Sequence, residues 1–224
     1  MIELSDITFA YDAGGFTLKA DSLAVGRGEK AAVVGPSGSG KTTLLHLIAG
    51  ILVPRRGIVQ IDGQAVSSMR DKARRRVRLI RMGMVFQGIE LIDYLSARDN
   101  VLLPYRINSA LTLDRAAKER ADALLDRVGL SAMAGRAVSG LSQGERQRVG
   151  ICRALITKPG LVLADEPTAS LDDASTASAM DLLMQLVEED DATLVMLTHD
   201  TSLLPRFDRV VCVDRGLVAG GGVS

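Results

Sequence analysis

Short apolar runs recur along the chain, separated by glycine, proline and charged residues. The runs at residues 30–34, 161–164 and 193–197 are almost wholly apolar, as is typical of strands buried in a parallel sheet. Shorter runs begin at Met84 and Arg209. Residues 2–9, 16–25 and 57–61 are predicted as further strands in which apolar and polar residues mix. These strands, separated by helical segments, predict an α/β fold.

Helical spacing marks three segments. Residues 42–49 follow a glycine-rich turn, and residues 146–156 place Val149, Cys152 and Ile156 on one stripe. The third segment, residues 113–128, ends at Gly129, a common stop signal for a helix. Its predicted buried stripe consists of Ala117, Ala121, Leu124, Leu125 and Val128.

The glycine-rich turn carries the first sign of chemistry. The sequence GPSGSGKT, residues 35–42, follows the strand at 30–34 and opens a helix. Such a turn aims backbone N–H groups at a β-phosphate, Lys41 adds charge over the β- and γ-phosphates, and Thr42 offers a hydroxyl to Mg²⁺. A chance Gly/Ser turn is the alternative, and the flanking strand and helix disfavour it. The predicted phosphate-binding residues are Gly35, Pro36, Ser37, Gly38, Ser39, Gly40, Lys41, Thr42 and Thr43.

A pair of carboxylates ends the apolar run at residues 161–164. Successive side chains on a strand point to opposite faces, so Asp165 and Glu166 can take separate roles. We expect Asp165 to hold Mg²⁺ through water and Glu166 to polarise the attacking water. A solvated turn is the alternative, and the apolar strand before the pair and Pro167 after it argue against that reading.

Residues 141–149, LSQGERQRV, narrow the interpretation further. Together with the phosphate loop and the carboxylate pair, they resemble the signature motif of the ATP-binding cassette (ABC) ATPases. In the commonest form, LSGGQ, glycine and glutamine stand where this chain has Gln143 and Glu145. The hydroxyl of Ser142 and the small Gly144 remain, so we expect the signature to function. The resemblance assigns the signature to Leu141, Ser142, Gln143, Gly144 and Glu145.

Further positions match ABC landmarks in order along the chain. The resemblance implies that Tyr11 stacks on the adenine and that Gln87 reaches the metal and the attacking water. It implies that His199 contacts the γ-phosphate. Ser170, Leu171 and Asp172 match the D-loop, which crosses the dimer interface in the family. The implied catalytic residues are therefore Glu166, His199 and Gln87, and the implied metal-binding residues are Thr42, Gln87 and Asp165.

The family resemblance also implies an architecture and partners. We expect a P-loop NTPase core with a RecA-like parallel sheet, an antiparallel β layer and an inserted α-helical subdomain. The core would comprise residues 1–87 and 155–224, and the helical subdomain residues 88–154. A second copy, or a paralogue, would pair head to tail around two ATP molecules. A separate membrane permease would contact residues 88–106.

Composition limits the location and the partners. The 224 residues are 47% hydrophobic and carry no formal net charge, which argues against a nucleic-acid partner. Nothing resembles a signal peptide, and no apolar run approaches the ~18 residues of a membrane span. We expect a peripheral protein on the cytoplasmic face of a bacterial inner membrane. The two cysteines, Cys152 and Cys212, are expected to be buried thiols.

One stretch, residues 69–81, is strongly basic. It contains Arg70, Lys72, Arg74, Arg75, Arg76, Arg78 and Arg81 against the single acid Asp71. Contact with acidic lipid or an acidic partner is one interpretation. A solvated helix face is the other, and it is the commoner origin of such runs.

Three details of the sequence indicate which branch of the ABC family it resembles. Ala164 before Asp165, the sequence GERQR and the sequence DNVLLP at residues 99–104 resemble ATPases of lipoprotein-release and macrolide-export systems and the related cell-division ATPase. An importer of amino acids or peptides remains an alternative. A soluble ABC ATPase, a P-loop kinase, a GTPase and a non-hydrolysing subunit are others. The absence of a long coiled coil and of a second cassette disfavours a soluble ABC ATPase, and the absence of an N-K-x-D motif disfavours a GTPase. A kinase would need an acceptor site and a lid instead of a signature helix. Glu166 and His199 disfavour a non-hydrolysing subunit.

Overall fold

A computed structural model describes residues 1–12, 14–86, 90–168 and 173–222. The strands are β1 (Ile2–Ala10), β2 (Thr17–Val25), β3 (Lys30–Val34), β4 (Arg56–Ile61), β5 (Gln64–Ala65), β6 (Met82–Val85), β7 (Leu161–Asp165), β8 (Thr193–Leu197), β9 (Arg209–Asp214) and β10 (Leu217–Gly222). The helices are α1 (Lys41–Ile48), α2 (Asp71–Arg81), α3 (Ala97–Val101), α4 (Leu103–Ile107), α5 (Arg115–Arg127), α6 (Gln143–Leu155) and α7 (Asp173–Glu189). Short 3₁₀ turns occupy Val66–Ser68, Ser131–Met133, Val138–Gly140 and Thr201–Arg206.

The chain divides into two compact units. The first comprises Met1–Arg78 with Asp191–Ser224, and the second comprises Leu79–Asp190. The first holds eight strands in the order β5-β4-β1-β2-β10-β9-β3-β8. Neighbours from β5 to β2 are antiparallel, whereas β3 lies parallel to both β8 and β9. In the second unit β6 and β7 are parallel, with Met82 opposite Leu161. The predicted combination of parallel core strands and an antiparallel layer is confirmed.

Buried and exposed side chains alternate along the strands of the antiparallel layer, so one face of the layer covers a core while the strands pair edge to edge. Along β1, Ile2, Leu4, Ile7 and Phe9 are buried while polar residues between them face outward. Ile2 stands opposite Val25 on one side and Ile61 on the other, and all three are buried. In contrast, all five residues of β8 are buried, as expected of a strand covered on both faces.

Helices dominate the second unit. The predicted stripe of α5, which runs from Ala117 to Val128, is buried throughout. Strand β6 lies so close to α6 that a Cβ at Gly83 would overlap the carbonyl oxygen of Ala154. Arg120 of α5 donates to the carbonyl oxygens of Leu155 at 2.9 Å and Ile156 at 3.1 Å. This guanidinium therefore caps the C-terminal end of α6 and fixes α5 against it.

The expectation of two buried thiols is wrong for one of them. Both cysteines are free; Cys152 is buried and Cys212 is exposed. Because side chains alternate along β9, Val211 and Val213 occupy the core face and Cys212 points to the other. An apolar stretch of sequence does not specify which face each residue takes.

The basic stretch forms helix α2, and its residues have two distinct environments. Arg74 donates to the carbonyl oxygens of Gly50 at 3.1 Å and Met69 at 2.6 Å, and Arg78 donates to that of Ala49 at 3.2 Å. Lys72, Arg75 and Arg76 are exposed, and Arg75 pairs with Asp71 at 2.8 Å. Burial lowers the pKa of Arg78. Arg74 and Arg78 therefore cap the end of α1, whereas Arg70, Lys72, Arg75 and Arg76 are exposed. Among the described residues, no helix has the length and apolar character needed to cross a bilayer.

Candidate nucleotide-binding site

The turn between β3 and α1 has the backbone geometry of a phosphate loop. Gly35, Gly38 and Gly40 have φ values of 155°, 75° and 110°. A Cβ at Gly35 would overlap the carbonyl oxygen of Val213, and one at Gly40 would lie 2.5 Å from the ring of Phe16. Glycine is thus required at both positions by conformation and by space.

The first turn of α1 leaves its amides available to a ligand. Its N-cap, Gly40, makes no side-chain capping bond. The hydrogen bond from Leu44 N–H to Gly40 O, 2.9 Å long, opens the helix, so the preceding N–H groups have no acceptor within it. Such a terminus attracts an anion through its amides and through the helix dipole.

Lys41 lies over this turn. Its side chain is largely buried, with 8% exposed, and its Nζ donates to the carbonyl oxygens of Gly35 at 2.7 Å and Pro36 at 3.1 Å. Among the described residues, the acceptors of this ammonium are neutral carbonyls, and a buried ammonium in such surroundings favours an anionic partner. The buried Ser39 Oγ has no hydrogen-bond partner among the described residues. These groups fit a polyphosphate, and the exposed Thr42 at the second helical position fits the role of a magnesium ligand.

Tyr11 lies at the same helix end. Its hydroxyl is 3.0 Å from the hydroxyl of Thr43, and its ring meets Phe9 edge to face with centroids 4.9 Å apart. The ring remains 42% exposed. This contact joins the end of β1 to the first turn of α1, and it was not foreseen from the sequence.

His199 lies at the same edge of the first unit's sheet as the phosphate loop. It follows β8, which runs parallel to β3, and Thr198 N–H donates to Val33 O at 3.1 Å. The imidazole is exposed. The carboxyl ends of the adjacent parallel strands β3 and β8 therefore bring His199 and the phosphate loop to the same edge of the sheet.

The next residue, Asp200, accepts hydrogen bonds from the hydroxyl and the N–H of Ser202, and these lower its pKa.

The two acids lie in the second unit, at the end of β7. Asp165 is the last residue of β7, whose other four residues are apolar and buried, and both acids are half-buried. Glu166 has a φ of 43°, a left-handed conformation that is rare for glutamate. Such strain is typical of functional positions.

The signature residues form the start of α6. Ser142 is the N-cap, and its Oγ accepts from Glu145 N–H at 3.3 Å while Glu145 Oε2 accepts from Ser142 N–H at 2.7 Å. This is a capping box. The hydrogen bonds from Ser142 lower the pKa of Glu145. Glu145 lies in the first helical turn, and the pattern S-x-x-E was the signal that would have revealed the box.

Several predicted site residues lie outside the described part of the chain. These are Gln87 and the D-loop residues Ser170, Leu171 and Asp172. In the first unit the structure gathers the phosphate loop, Tyr11 and His199. In the second it presents the acids of β7 and the signature at two separate element ends.

A parallel strand, a glycine-rich turn and a helix that begins with a buried lysine define the class of protein: a P-loop nucleoside triphosphatase. The family model "ABC transporter" matches residues 18–169. The chain belongs to the ABC transporter family and is an ATPase of that family, which confirms the family resemblance and excludes the kinase and GTPase alternatives.

Individual relatives agree with this assignment. The chain is 48% identical over 181 residues to the lipoprotein-releasing system ATP-binding protein LolD of Hydrogenovibrio crunogenus, covering 81% of this chain and 78% of that protein. It is 41% identical to LolD of Cereibacter sphaeroides, covering 97% and 98%. A dimeric ATP-binding cassette, MJ0796, bound to ADP and Pi in a post-hydrolysis state, superposes with a TM-score of 0.88 at 33% identity, covering 100% of this chain and 99% of that one. The predicted resemblance to lipoprotein-release ATPases is confirmed.

Proposed function

We propose that this ATPase drives a separate membrane permease of the lipoprotein-release type. The observation that carries the proposal is the presence, in one chain, of a complete phosphate loop around Lys41 and a helix N-terminus capped by Ser142. The relatives named as lipoprotein-releasing ATP-binding proteins support the choice of system. The working location would be the cytoplasmic face of a bacterial inner membrane, where the chain would be peripheral.

The residue roles follow from chemistry and, for Gln87 and His199, from the family resemblance. The amides at the start of α1 and the ammonium of Lys41 would bind the β- and γ-phosphates. Thr42, Gln87 and Asp165 would hold Mg²⁺, which neutralises charge on the phosphates. Glu166 would orient and polarise the attacking water, and His199 would contact the γ-phosphate.

A second copy of the chain, or a paralogue, would complete each site. Ser142 and Gly144 would present a hydroxyl and backbone amides to the γ-phosphate bound by the partner subunit, with residues 170–172 at the interface. The dimeric cassette bound to ADP and Pi supports this assembly. ATP binding would favour the closed dimer, and hydrolysis would release it.

Two variants test the dimer. Glu166→Gln is expected to bind ATP and accumulate as a dimer on size exclusion, since the substrate is not consumed. Adding Ser142→Arg should preserve ATP binding and abolish that dimer, because a bulky side chain would occupy the γ-phosphate contact. A dimer that persists in the double variant would refute the role of the signature in trans.

A tagged pull-down from detergent-solubilised native membranes tests the partner. A permease with few membrane spans and a large extracytoplasmic domain would support the proposal. A permease with many spans and a solute-binding protein would indicate import. Recovery of no membrane protein would refute coupling to transport.

A further inference from the structure

Two arginines on one face of α6 hold the loop of residues 90–95. Arg146 Nη2 lies 2.7 Å from Asp93 Oδ1, and its Nη1 donates to Val138 O at 3.2 Å. Arg153 Nη1 donates to Glu90 O at 2.5 Å. The two arginines are two helical turns apart, about 10.5 Å along the axis, and three residues of extended chain span a similar length, about 10 Å. The helix therefore contacts the loop at two well-separated points.

The loop has little internal freedom. Asn100 is fully buried, its Oδ1 accepts from Ile92 N–H at 2.8 Å, and its Nδ2 lies within hydrogen-bonding distance of the carbonyl oxygens of Ile92, Leu95 and Ser96. An amide that uses both its donor and its acceptor in this way fixes the turn around it. A load applied to the loop would displace it as a unit.

Backbone bonds join the same loop to the segment that leads into α6. Val138 N–H donates to Leu95 O at 3.1 Å, and Ser139 N–H donates to Asp93 O at 3.3 Å. Both donors belong to the 3₁₀ turn Val138–Gly140, whose C-cap, Leu141, stands one residue before the N-cap Ser142. The loop is thus bonded to α6 through side chains and to its lead-in through the main chain.

The tip of the loop is free to meet a partner. Tyr94 is 83% exposed, whereas Leu91 is 8% exposed and packs inside. Among the described residues 90–106, core and surface positions could therefore be separated only from coordinates. A large exposed aromatic ring on a rigid turn is a suitable contact for another protein.

We propose that Arg146 and Arg153 are positioning residues that carry displacement of the 90–95 loop to the N-terminus of α6, and hence to Ser142. The inference rests on the proposed coupling to a permease, which would supply the displacement at Tyr94. In this arrangement the Asp93–Arg146 pair is needed for stimulation by the permease and is dispensable for hydrolysis itself. The pair is partly exposed, with the Arg146 side chain 23% accessible and the Asp93 side chain 67% accessible, so its loss should leave the fold intact.

The test compares three variants: Asp93→Asn, Arg146→Gln and the two combined. Each is assayed both as the isolated chain and as part of the complex that copurifies with the chain from native membranes. The complex is reconstituted in lipid vesicles. Asp122→Asn is the matched control. It breaks an ion pair of the same kind in the same unit, Asp122 with Arg98 at 2.6 Å, and neither residue of that pair belongs to α6. In the isolated chain, kcat and KM for ATP should stay within about twofold of the unaltered chain for all four. In the complex, the stimulation of ATP hydrolysis by the permease should fall about five- to tenfold for the three variants of the Asp93–Arg146 pair and should be unchanged for Asp122→Asn. A change of that size is typical of coupling between two sites.

The double variant should lose no more stimulation than the more impaired single variant, because both changes break the Asp93–Arg146 pair and the bond from Arg146 to Val138 O is already lost in Arg146→Gln. Three results would overturn the inference: unchanged stimulation, equal losses in the isolated chain and the complex, or additive losses in the double variant. These leave the proposed function standing. If the unaltered chain itself shows no stimulation by its membrane partner, the proposed coupling fails and the relay fails with it.

Discussion

Ser142 and Glu145 cap each other at the start of the signature helix: Ser142 N–H donates to the Glu145 carboxylate at 2.7 Å, and Glu145 N–H donates to Ser142 Oγ at 3.3 Å. The departure from the commonest signature thus places a negative charge at the positive end of a helix dipole. The serine that should meet a γ-phosphate is held in place by the residue that replaces glutamine.

Glu145→Gln should therefore change how stability depends on pH. Hydrogen bonds from Ser142 lower the pKa of Glu145 in the folded chain, so the carboxylate's contribution is present above its unfolded pKa of ~4.3 and disappears as the pH falls through the folded value. At pH 7 we expect a loss below about 1 kcal/mol, because glutamine can also form the box and the site is solvated. Urea unfolding at pH 7 and in the acid range measures both.

Glu145→Ala is the control for the box itself. Alanine removes both the charge and the acceptor, so its loss at pH 7 should exceed that of glutamine by a few tenths to 1 kcal/mol. The unaltered chain, Glu145→Gln and Glu145→Ala can be compared by their free energy of unfolding as a function of pH. If the three curves are parallel between neutral and acid pH, the Glu145 carboxylate contributes no stability through its hydrogen bonds with Ser142.

The features that could be predicted from the sequence are those that depend on local chemistry. Residues 30–34 form β3 as predicted, since a run of five residues between charged and glycine boundaries leaves few alternatives. The stripe of α5 is buried because its 3.6-residue period is regular. By contrast, helix α7 was not predicted: its first half, DASTASAM, is rich in serine and threonine, which have weak helix propensity.

Other features depend on tertiary pairing. The contact between Tyr11 and Thr43 joins residues that are 32 apart in sequence, and Arg146 meets Asp93 across 53. Neither periodicity nor a motif specifies such pairs. The exposure of Cys212 likewise depends on the face that β9 turns to the core. The motifs identified the nucleotide site, and only the coordinates revealed the contacts that support it.

Tyr11 variants separate a structural role from an adenine contact. Tyr11→Phe removes the hydroxyl that bonds Thr43 and keeps the ring, so we expect about 1 kcal/mol of lost stability and little change in KM for ATP. Tyr11→Ala also removes the ring. If that ring stacks on adenine, binding should weaken by about 1–3 kcal/mol, or roughly five- to 150-fold in affinity. Steady-state kinetics and equilibrium unfolding give the two quantities.

Thr43→Val is the matched control for the hydroxyl contact. It should cost about as much stability as Tyr11→Phe, and the double variant should cost little more, because one hydrogen bond is lost in each case. An unchanged KM for ATP in Tyr11→Ala would exclude the stacking role and leave Tyr11 as a packing residue.

The two cysteines should differ sharply in reactivity. Burial raises the pKa of Cys152 to about 12, and Cys212 is exposed. A thiol-directed reagent at pH 8 should modify Cys212 in the native protein and Cys152 only after unfolding, since the thiolate is the reactive form. Mass spectrometry of native and denatured samples identifies the sites. In Cys212→Ser, rapid native labelling at Cys152 would contradict the buried environment.

The same shift has a consequence for stability. An unfolded Cys152 ionises at about pH 8.5, whereas the folded one stays protonated to about pH 12. The folded pKa is raised, so its contribution is fully present below the unfolded value and declines as the pH rises above it. Cys152→Ala should flatten the stability curve between pH 8 and pH 10, and an unaltered slope would exclude this thiol as its origin.

Gly38 and Gly40 allow backbone strain to be separated from steric overlap in the phosphate loop. Both have positive φ, 75° and 110°, but a Cβ at Gly38 meets no atom within 4 Å, whereas one at Gly40 lies 2.5 Å from Phe16 Cζ. Gly38→Ala should therefore cost about 1–2 kcal/mol of stability from the left-handed backbone alone. Gly40→Ala should cost more and weaken binding of a non-hydrolysable ATP analogue at least tenfold, because the turn must shift to clear the ring.

Phe16→Leu supplies the decisive comparison for Gly40. The shorter side chain opens the space that the new methyl group needs, so Phe16→Leu with Gly40→Ala should regain part of the lost affinity while the cost of backbone strain remains. Combined with Gly38→Ala, the same substitution should restore nothing, since no ring contacts that position. Titration calorimetry on the four variants measures the recovery. Equal affinities for Gly38→Ala and Gly40→Ala, with no gain from Phe16→Leu, would mean that backbone conformation alone requires glycine here and that the ring of Phe16 does not limit the loop.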